Sequence, residues 1–178
     1  MIIGCCGWQD SGKTLLAQII AHMCVWVIEP GVKGVVSNVK LPTLEMDGRA
    51  IYRDNAGLRG WLSEMVGKGF TNYCVLIDEV DRVFPARFWG DRKQSEDLMG
   101  VWQDEKCGNV IIYTAHMGVD VDKLLRGATR MLLIPEYNEV SDVLSVMVCD
   151  GRYGVDGEYE LENASRFFKD YDRWARVV

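Results

Sequence analysis

Short apolar runs, each closed by glycine, proline or charged residues, alternate along this chain with segments of helical spacing. Met1-Ile2-Ile3-Gly4-Cys5-Cys6 opens the sequence as a buried strand. Residues 15–23 are good helix formers, the apolar stretch 24–28 continues them, and Glu29-Pro30-Gly31 ends the helix. Residues 32–39 read as a second strand and the polar stretch 45–55, with Gly48, as loop. Residues 58–68 form a helix with Leu58, Leu62, Met65 and Val66 on one face. Tyr73-Cys74-Val75-Leu76-Ile77 is again an apolar strand, and residues 80–90 after it are aromatic and basic. A helix at 95–106, a strand at 109–114, a short helix at 121–126 and a strand at 130–134 closed by Pro135 complete the alternation. Beyond it, residues 143–148 and 153–161 flank Asp150-Gly151, the signal of a β-hairpin, and 167–178 form an aromatic, charged tail.

Strands alternating with helices predict an α/β fold: a mostly parallel sheet flanked by helices, with a C-terminal β-hairpin. In such sheets ligands bind at the carboxyl ends of the strands. No repeat, low-complexity segment or linker divides the chain, so a single domain over 1–178 is expected, with a core of about 1–135 and a hairpin and tail over about 136–178.

The loop after the first strand decides the chemistry. Gly7-Trp8-Gln9-Asp10-Ser11-Gly12-Lys13-Thr14 is a complete G-x-x-x-x-G-K-[ST] phosphate-binding loop between a strand and a helix, the context that gives the motif meaning. Gly7 and Gly12 let the backbone wrap a phosphate so that amides and the helix N-terminus point at it. Gly7, Gln9, Asp10, Ser11, Gly12, Lys13, Thr14 and Leu15 are therefore the candidate nucleotide contacts. Lys13 reaches the outer phosphates and the Thr14 hydroxyl holds Mg²⁺.

A second motif supports the first. The apolar strand at 73–77 ends in Asp78-Glu79, two carboxylates at the tip of a buried parallel strand. Asp78 in that place binds the magnesium ion, and Glu79 is a general base for the attacking water. The alternative is a strand that merely exits to solvent through two acids. An Asp-Glu ending beside a complete phosphate loop points to ATP hydrolysis, since GTPases and small-molecule kinases usually lack the second acid. Thr114 to His116 end another apolar strand, so three separate segments converge on one edge of the sheet.

Composition narrows the setting. The chain has 178 residues, 48% hydrophobic and 26% charged, and nothing in it is long and apolar enough to suggest a signal peptide or membrane anchor. Its six cysteines show no C-x-x-C spacing, which predicts free thiols in a reducing compartment of a protein that is not secreted. A net charge of −6 argues against a broad nucleic-acid surface but leaves local contacts open. Arg82, Arg87, Arg92 and Lys93 concentrate positive charge just after the acidic pair; they are candidate DNA contacts or, equally, ordinary surface residues.

The order of these pieces is informative: phosphate loop, Val35-Val36-Ser37-Asn38, Ile77-Asp78-Glu79-Val80-Asp81-Arg82, a further apolar strand, then Val121-Asp122-Lys123-Leu124-Leu125-Arg126. Over residues 2–134 the chain resembles the FtsK/HerA superfamily of DNA-pumping ATPases, which have the RecA-type, ASCE-class P-loop fold. It is most similar to viral genome-packaging ATPases and to zonula-occludens-toxin-like phage assembly ATPases. The resemblance implies ATP and Mg²⁺ as cofactors, double-stranded DNA bound without sequence preference, and a homo-oligomeric ring, hexameric or pentameric. It also implies a capsid or membrane protein as docking partner, with the host cytoplasm or the virion as location. The family's sensor position usually carries Gln; here the segment is Thr114-Ala115-His116, which makes His116 the candidate sensor of the γ-phosphate. Arg126 is the first candidate for the arginine that such motors supply from a neighbouring subunit, with Arg87 and Arg130 behind it. Asp10 stands where family members place a small residue, and Asp tolerates the left-handed backbone this requires.

DNA translocation for viral packaging is thus the leading expectation. A toxin-like phage-extrusion ATPase ranks second, because that group usually carries a membrane span after the motor and none follows here. A P-loop nucleotide or small-molecule kinase ranks third, and a non-catalytic assembly protein fourth.

Overall fold

The computed structural model describes residues 1–27, 31–68, 70–85, 108–117, 123–150 and 154–170. The strands are β1 (Ile2–Gly7), β2 (Val35–Ser37), β3 (Ala50–Tyr52), β4 (Cys74–Ile77), β5 (Val110–His116), β6 (Met131–Asn138), β7 (Val143–Asp150) and β8 (Gly154–Glu162). The helices are α1 (Lys13–Trp26), α2 (Pro42–Met46), α3 (Asn55–Lys68), α4 (Val80–Val83) and α5 (Lys123–Ala128), with a 3-10 helix at Ala164–Asp170. The strands form one sheet in the order β3-β2-β4-β5-β1-β6-β7-β8. From β3 to β6 the neighbours are parallel, and β6, β7 and β8 are antiparallel. This is the expected α/β architecture, and β5 lies between the phosphate-loop strand β1 and the acidic strand β4.

The continuous apolar runs follow from burial on both faces. Ile3, Cys5, Leu76 and Ile112 join Leu15, Leu16, Ala21 and Val25 of α1 in one core layer. Ile2, Val75, Ile77, Ile111, Tyr113 and Ala115 point the other way, onto Leu58 and Leu62 of α3, Val80 and Val83 of α4 and Leu125 of α5. Each such Leu, Ile or Val contributes about 1.5–3 kcal/mol by leaving water, so the sheet's middle is rigidly placed. Whatever sits at its carboxyl edge inherits that precision.

Three segments differ from the sequence reading. The second strand spans only Val35–Ser37. The stretch 45–55, expected to be loop, contains the end of α2 and the edge strand β3. Pro42 starts α2, and the Glu45 side chain accepts the Leu41 N–H at 3.0 Å. β3 is three residues long and partly exposed, too little to imprint a period. Strand β6 runs through Pro135 to Asn138, whereas proline was expected to close it. Its pairing with β1 ends at Cys5 and Leu133, so Pro135 lies where one edge of β6 has no partner strand and a missing N–H costs little. The hairpin appears as β7 and β8, and the helix expected at 95–106 lies outside the described residues.

Candidate nucleotide site

Register alone brings the motif residues together. Gly7 pairs with His116 and Cys5 with Thr114, while Ile77 pairs with Tyr113, so Asp78, the residue after β4, emerges beside Thr114. Leu76 pairs with Ser37, which brings Asn38 to the same edge.

The loop itself is built for a compact turn. Gly12 caps α1 at φ 85°, and a Cβ there would sit 2.8 Å from Leu144 Cδ1. A Cβ on Gly7 would collide with Ser11 Oγ. Asp10 adopts φ 58°, the left-handed conformation expected of it, and is exposed to solvent. Lys13 is buried, and its Nζ donates to the Trp8 carbonyl at 2.5 Å. Burial pulls the Lys13 pKa down, opposed by the nearby carboxylates of Asp78, Asp10 and Glu79. Ser11 Oγ is buried without a hydrogen-bond partner among the described residues, a polar atom at the throat of the loop awaiting one.

Asp78 is the hub. Its Oδ1 accepts hydrogen bonds from Thr14 Oγ1 at 2.8 Å and from Thr114 Oγ1 at 2.7 Å. Burial raises its pKa, and these two hydroxyls pull it back. Asn38 clamps its backbone: Oδ1 accepts the Asp78 N–H at 2.7 Å and Nδ2 donates to the Asp78 carbonyl at 2.9 Å. The same Nδ2 donates to Asn55 Oδ1 at 2.8 Å, tying β2 and the start of α3 to the tip of β4. Glu79 follows in a left-handed conformation, φ 49°, and its N–H donates to Thr114 Oγ1 at 2.8 Å.

The structure therefore gathers Gly7, Gly12, Lys13, Thr14, Asp78, Glu79 and His116 at one edge. His116 Nε2 lies 3.7 Å from Glu79 Oε1. Gln9 and Asp10 are exposed on the loop, and the Leu15 side chain is buried in the core, which leaves only its backbone for a ligand. Arg82 is on α4, its Nε 2.8 Å from Glu79 Oε2. Arg126 is exposed on α5, near enough to Tyr113 to act on its phenol. Arg87, Arg92 and Lys93 lie outside the described residues. Sequence reasoning missed Asn38 and the double role of Thr114. The position of Thr114 at the tip of an inner strand was the available signal.

Beyond the end of β1, the extended β6, β7 and β8 rise beside the loop. Between them and residues Gly7 to Ser11 is a cleft of about 1080 Å³, lined also by Met117, Tyr137, Met147 and Tyr159.

This donor set fits a nucleotide and its metal: a glycine-walled cradle, an ammonium, an unpartnered serine hydroxyl, and a threonine beside a carboxylate whose second oxygen stays open. No curated protein matches the sequence. Among solved structures, the N-terminal domain of zonular occludens toxin from Neisseria meningitidis shares the fold at 16% identity, with a TM-score of 0.59, over 96% of this chain and 98% of that one. The RadB recombinase shares it at 14% identity, with a TM-score of 0.61, over 90% of this chain and 86% of that one. Residues 3–136, most of the chain, match the family described as the ATPase family associated with various cellular activities. The chain therefore belongs to the AAA ATPases.

Proposed function

We propose that this chain hydrolyses ATP with Mg²⁺ and uses the cycle to move double-stranded DNA, as one subunit of a ring of the FtsK/HerA kind that packages a viral genome. The observation that carries the reading is the 2.8 Å bond from Thr14 of the phosphate loop to Asp78 at the tip of β4, with Glu79 next in the chain and Thr114 of β5 fixing both acids. Lys13 neutralises phosphate charge, and the loop amides with Ser11 Oγ orient the triphosphate. Thr14 and Asp78 hold the metal, which when bound offsets charge on the outer phosphates. Glu79 takes the proton of the water that attacks the γ-phosphorus, as the bond to the ADP oxygen breaks. His116, beside Glu79, senses the γ-phosphate, and Arg126 serves a neighbouring subunit's site. Arg82, Arg87, Arg92 and Lys93 contact DNA phosphates, and a capsid or membrane protein anchors the ring in the host cytoplasm or the virion.

A second reading, a phage assembly ATPase of the toxin-like group, draws support from the near end-to-end match to the N-terminal domain of a zonular occludens toxin. Turnover measured with and without duplex DNA separates the two. Packaging predicts stimulation that weakens steeply with salt, as phosphate contacts do. A rate indifferent to DNA at low salt removes the packaging reading and leaves the ATPase.

A further inference from the structure

The sheet ends unequally. At one side its last strand, β3, has three residues; at the other, β8 has nine, more than any other strand. An edge strand leaves the N–H and C=O of alternate residues without a partner strand, and folds commonly keep such edges short. A register shift at Val148/Cys149 disturbs the start of β8, but from Gly157 to Glu162 it pairs residue by residue with Val148 to Val143. Among the described residues no strand lies outside that regular stretch.

Its side chains alternate between two chemistries. Glu158, Glu160 and Glu162 share the face of Met147, Ser145 and Val143, whereas Tyr159 and Leu161 share the face of Val146 and Leu144. The three glutamates are exposed, Tyr159 is 66% exposed, and among the described residues no ion pair engages Glu158, Glu160 or Glu162. Glu136 of β6, in one row with Ser145 and Glu160, extends the acidic face. A second β8 laid along this rim sets glutamate against glutamate, which repels. A strand with lysine or arginine at every second position meets opposite charge on that face and sets its apolar positions beside Tyr159 and Leu161 on the other.

We propose that β8 is a docking edge for an extended segment of another protein, in which basic residues alternate with apolar ones, and that this segment joins the sheet through backbone bonds to Gly157–Glu162. The inference rests on the reading above for the existence of a docking partner and names the kind of segment that partner supplies. Backbone bonds hold the incoming strand, and the alternating charge selects it. Glu158, Tyr159 and Glu160 also line the cleft beside Gly7 to Ser11, so the docked strand borders the phosphate loop.

The test uses the full chain and a short fluorescent peptide alternating lysine and valine, read by polarisation. Two further versions are N-methylated, one on its lysines and one on its valines; the charge is unchanged, but in a strand pair only one of them turns its methyl groups away from β8. Wild type should bind the parent peptide and one methylated version within a few-fold of each other, and the other version at least about tenfold more weakly. Glu158→Lys combined with Glu160→Lys should weaken binding of the lysine peptide at least about tenfold and gain binding of a glutamate–valine peptide, with affinity for an ATP analogue unchanged. No binding of the parent peptide overturns the inference, and so does equal binding of the two methylated versions, which reduces the attraction to surface charge. Sedimentation of both proteins without peptide tests the other occupant: wild-type assembly that the double variant loses assigns the edge to a second copy and overturns the inference. Turnover with duplex DNA, measured in parallel, judges the packaging reading separately, and its failure leaves the strand docking standing.

Discussion

Thr114→Val tests the hub at its least obvious member. The replacement keeps shape and removes one hydroxyl, which donates to Asp78 Oδ1 at 2.7 Å and accepts the Glu79 N–H at 2.8 Å. A hydrogen bond to an ionised group contributes about 1.5–3 kcal/mol, and a buried donor left unsatisfied costs about 1–3 kcal/mol. Thr114 itself is 1% exposed, so water does not replace the hydroxyl. The variant should therefore lose roughly 3–5 kcal/mol, a large share of the 5–15 kcal/mol typical of a folded domain. Thr114→Ser keeps both bonds and removes one buried methyl group, at a cost of about 1 kcal/mol. Urea unfolding followed by circular dichroism gives both differences. Turnover adds a second axis: with Asp78 and Glu79 less firmly aimed, kcat of the valine variant falls by at least about tenfold, whereas the serine variant stays within a few-fold. A valine variant as stable and as active as the serine one refutes the account of the hub.

Three further outcomes follow from the same geometry. Gly12→Ala places a Cβ at φ 85°, 2.8 Å from Leu144 Cδ1, and should destabilise the protein by about 2 kcal/mol or more and weaken nucleotide binding; calorimetry with an ATP analogue checks both. Asp78→Asn removes a buried charge while keeping an acceptor for Thr14 and Thr114, so it should abolish hydrolysis and raise the melting temperature by a few degrees at neutral pH. Burial raises the Asp78 pKa, so the protonated carboxyl favours the fold; that contribution is complete below about pH 4 and lost as pH rises through the folded pKa. The melting advantage of the asparagine variant should therefore be small in acid and grow toward neutrality, and an advantage that shrinks with rising pH contradicts the assignment. Asn38→Ala strips the Asp78 N–H and carbonyl of their buried partners, and should cost about 2–4 kcal/mol in urea unfolding.

Much of this was legible in the sequence because its signals are local. A phosphate loop is contiguous, and an apolar run ending in Asp78-Glu79 declares both a buried strand and its open end. The double-faced burial of β4 and β5 explains why those runs lack alternation. Residues that act through register were hidden. Asn38 looks like a polar exit from a strand, and only the pairing of Ser37 with Leu76 shows that it reaches Asp78. Thr114 is one of three residues that close an apolar strand, and only the pairings of Cys5 with Thr114 and of Ile77 with Tyr113 show that it lies beside Asp78. The short, half-exposed β3 gave no period to read, and Pro135 suggested an ending where β6 merely loses a neighbour on one side. Arg82 sits three residues from Glu79, a spacing that means contact only once α4 is known to form a turn there.

The most direct test of the account is a comparison of wild type with Glu79→Gln, measuring ATP affinity in magnesium by calorimetry and phosphate release by a coupled assay. The account predicts that the variant binds ATP within a few-fold of wild type and releases phosphate at least about a hundredfold more slowly. Wild-type rates of phosphate release from the glutamine variant, or no measurable affinity of either protein for ATP, would contradict it.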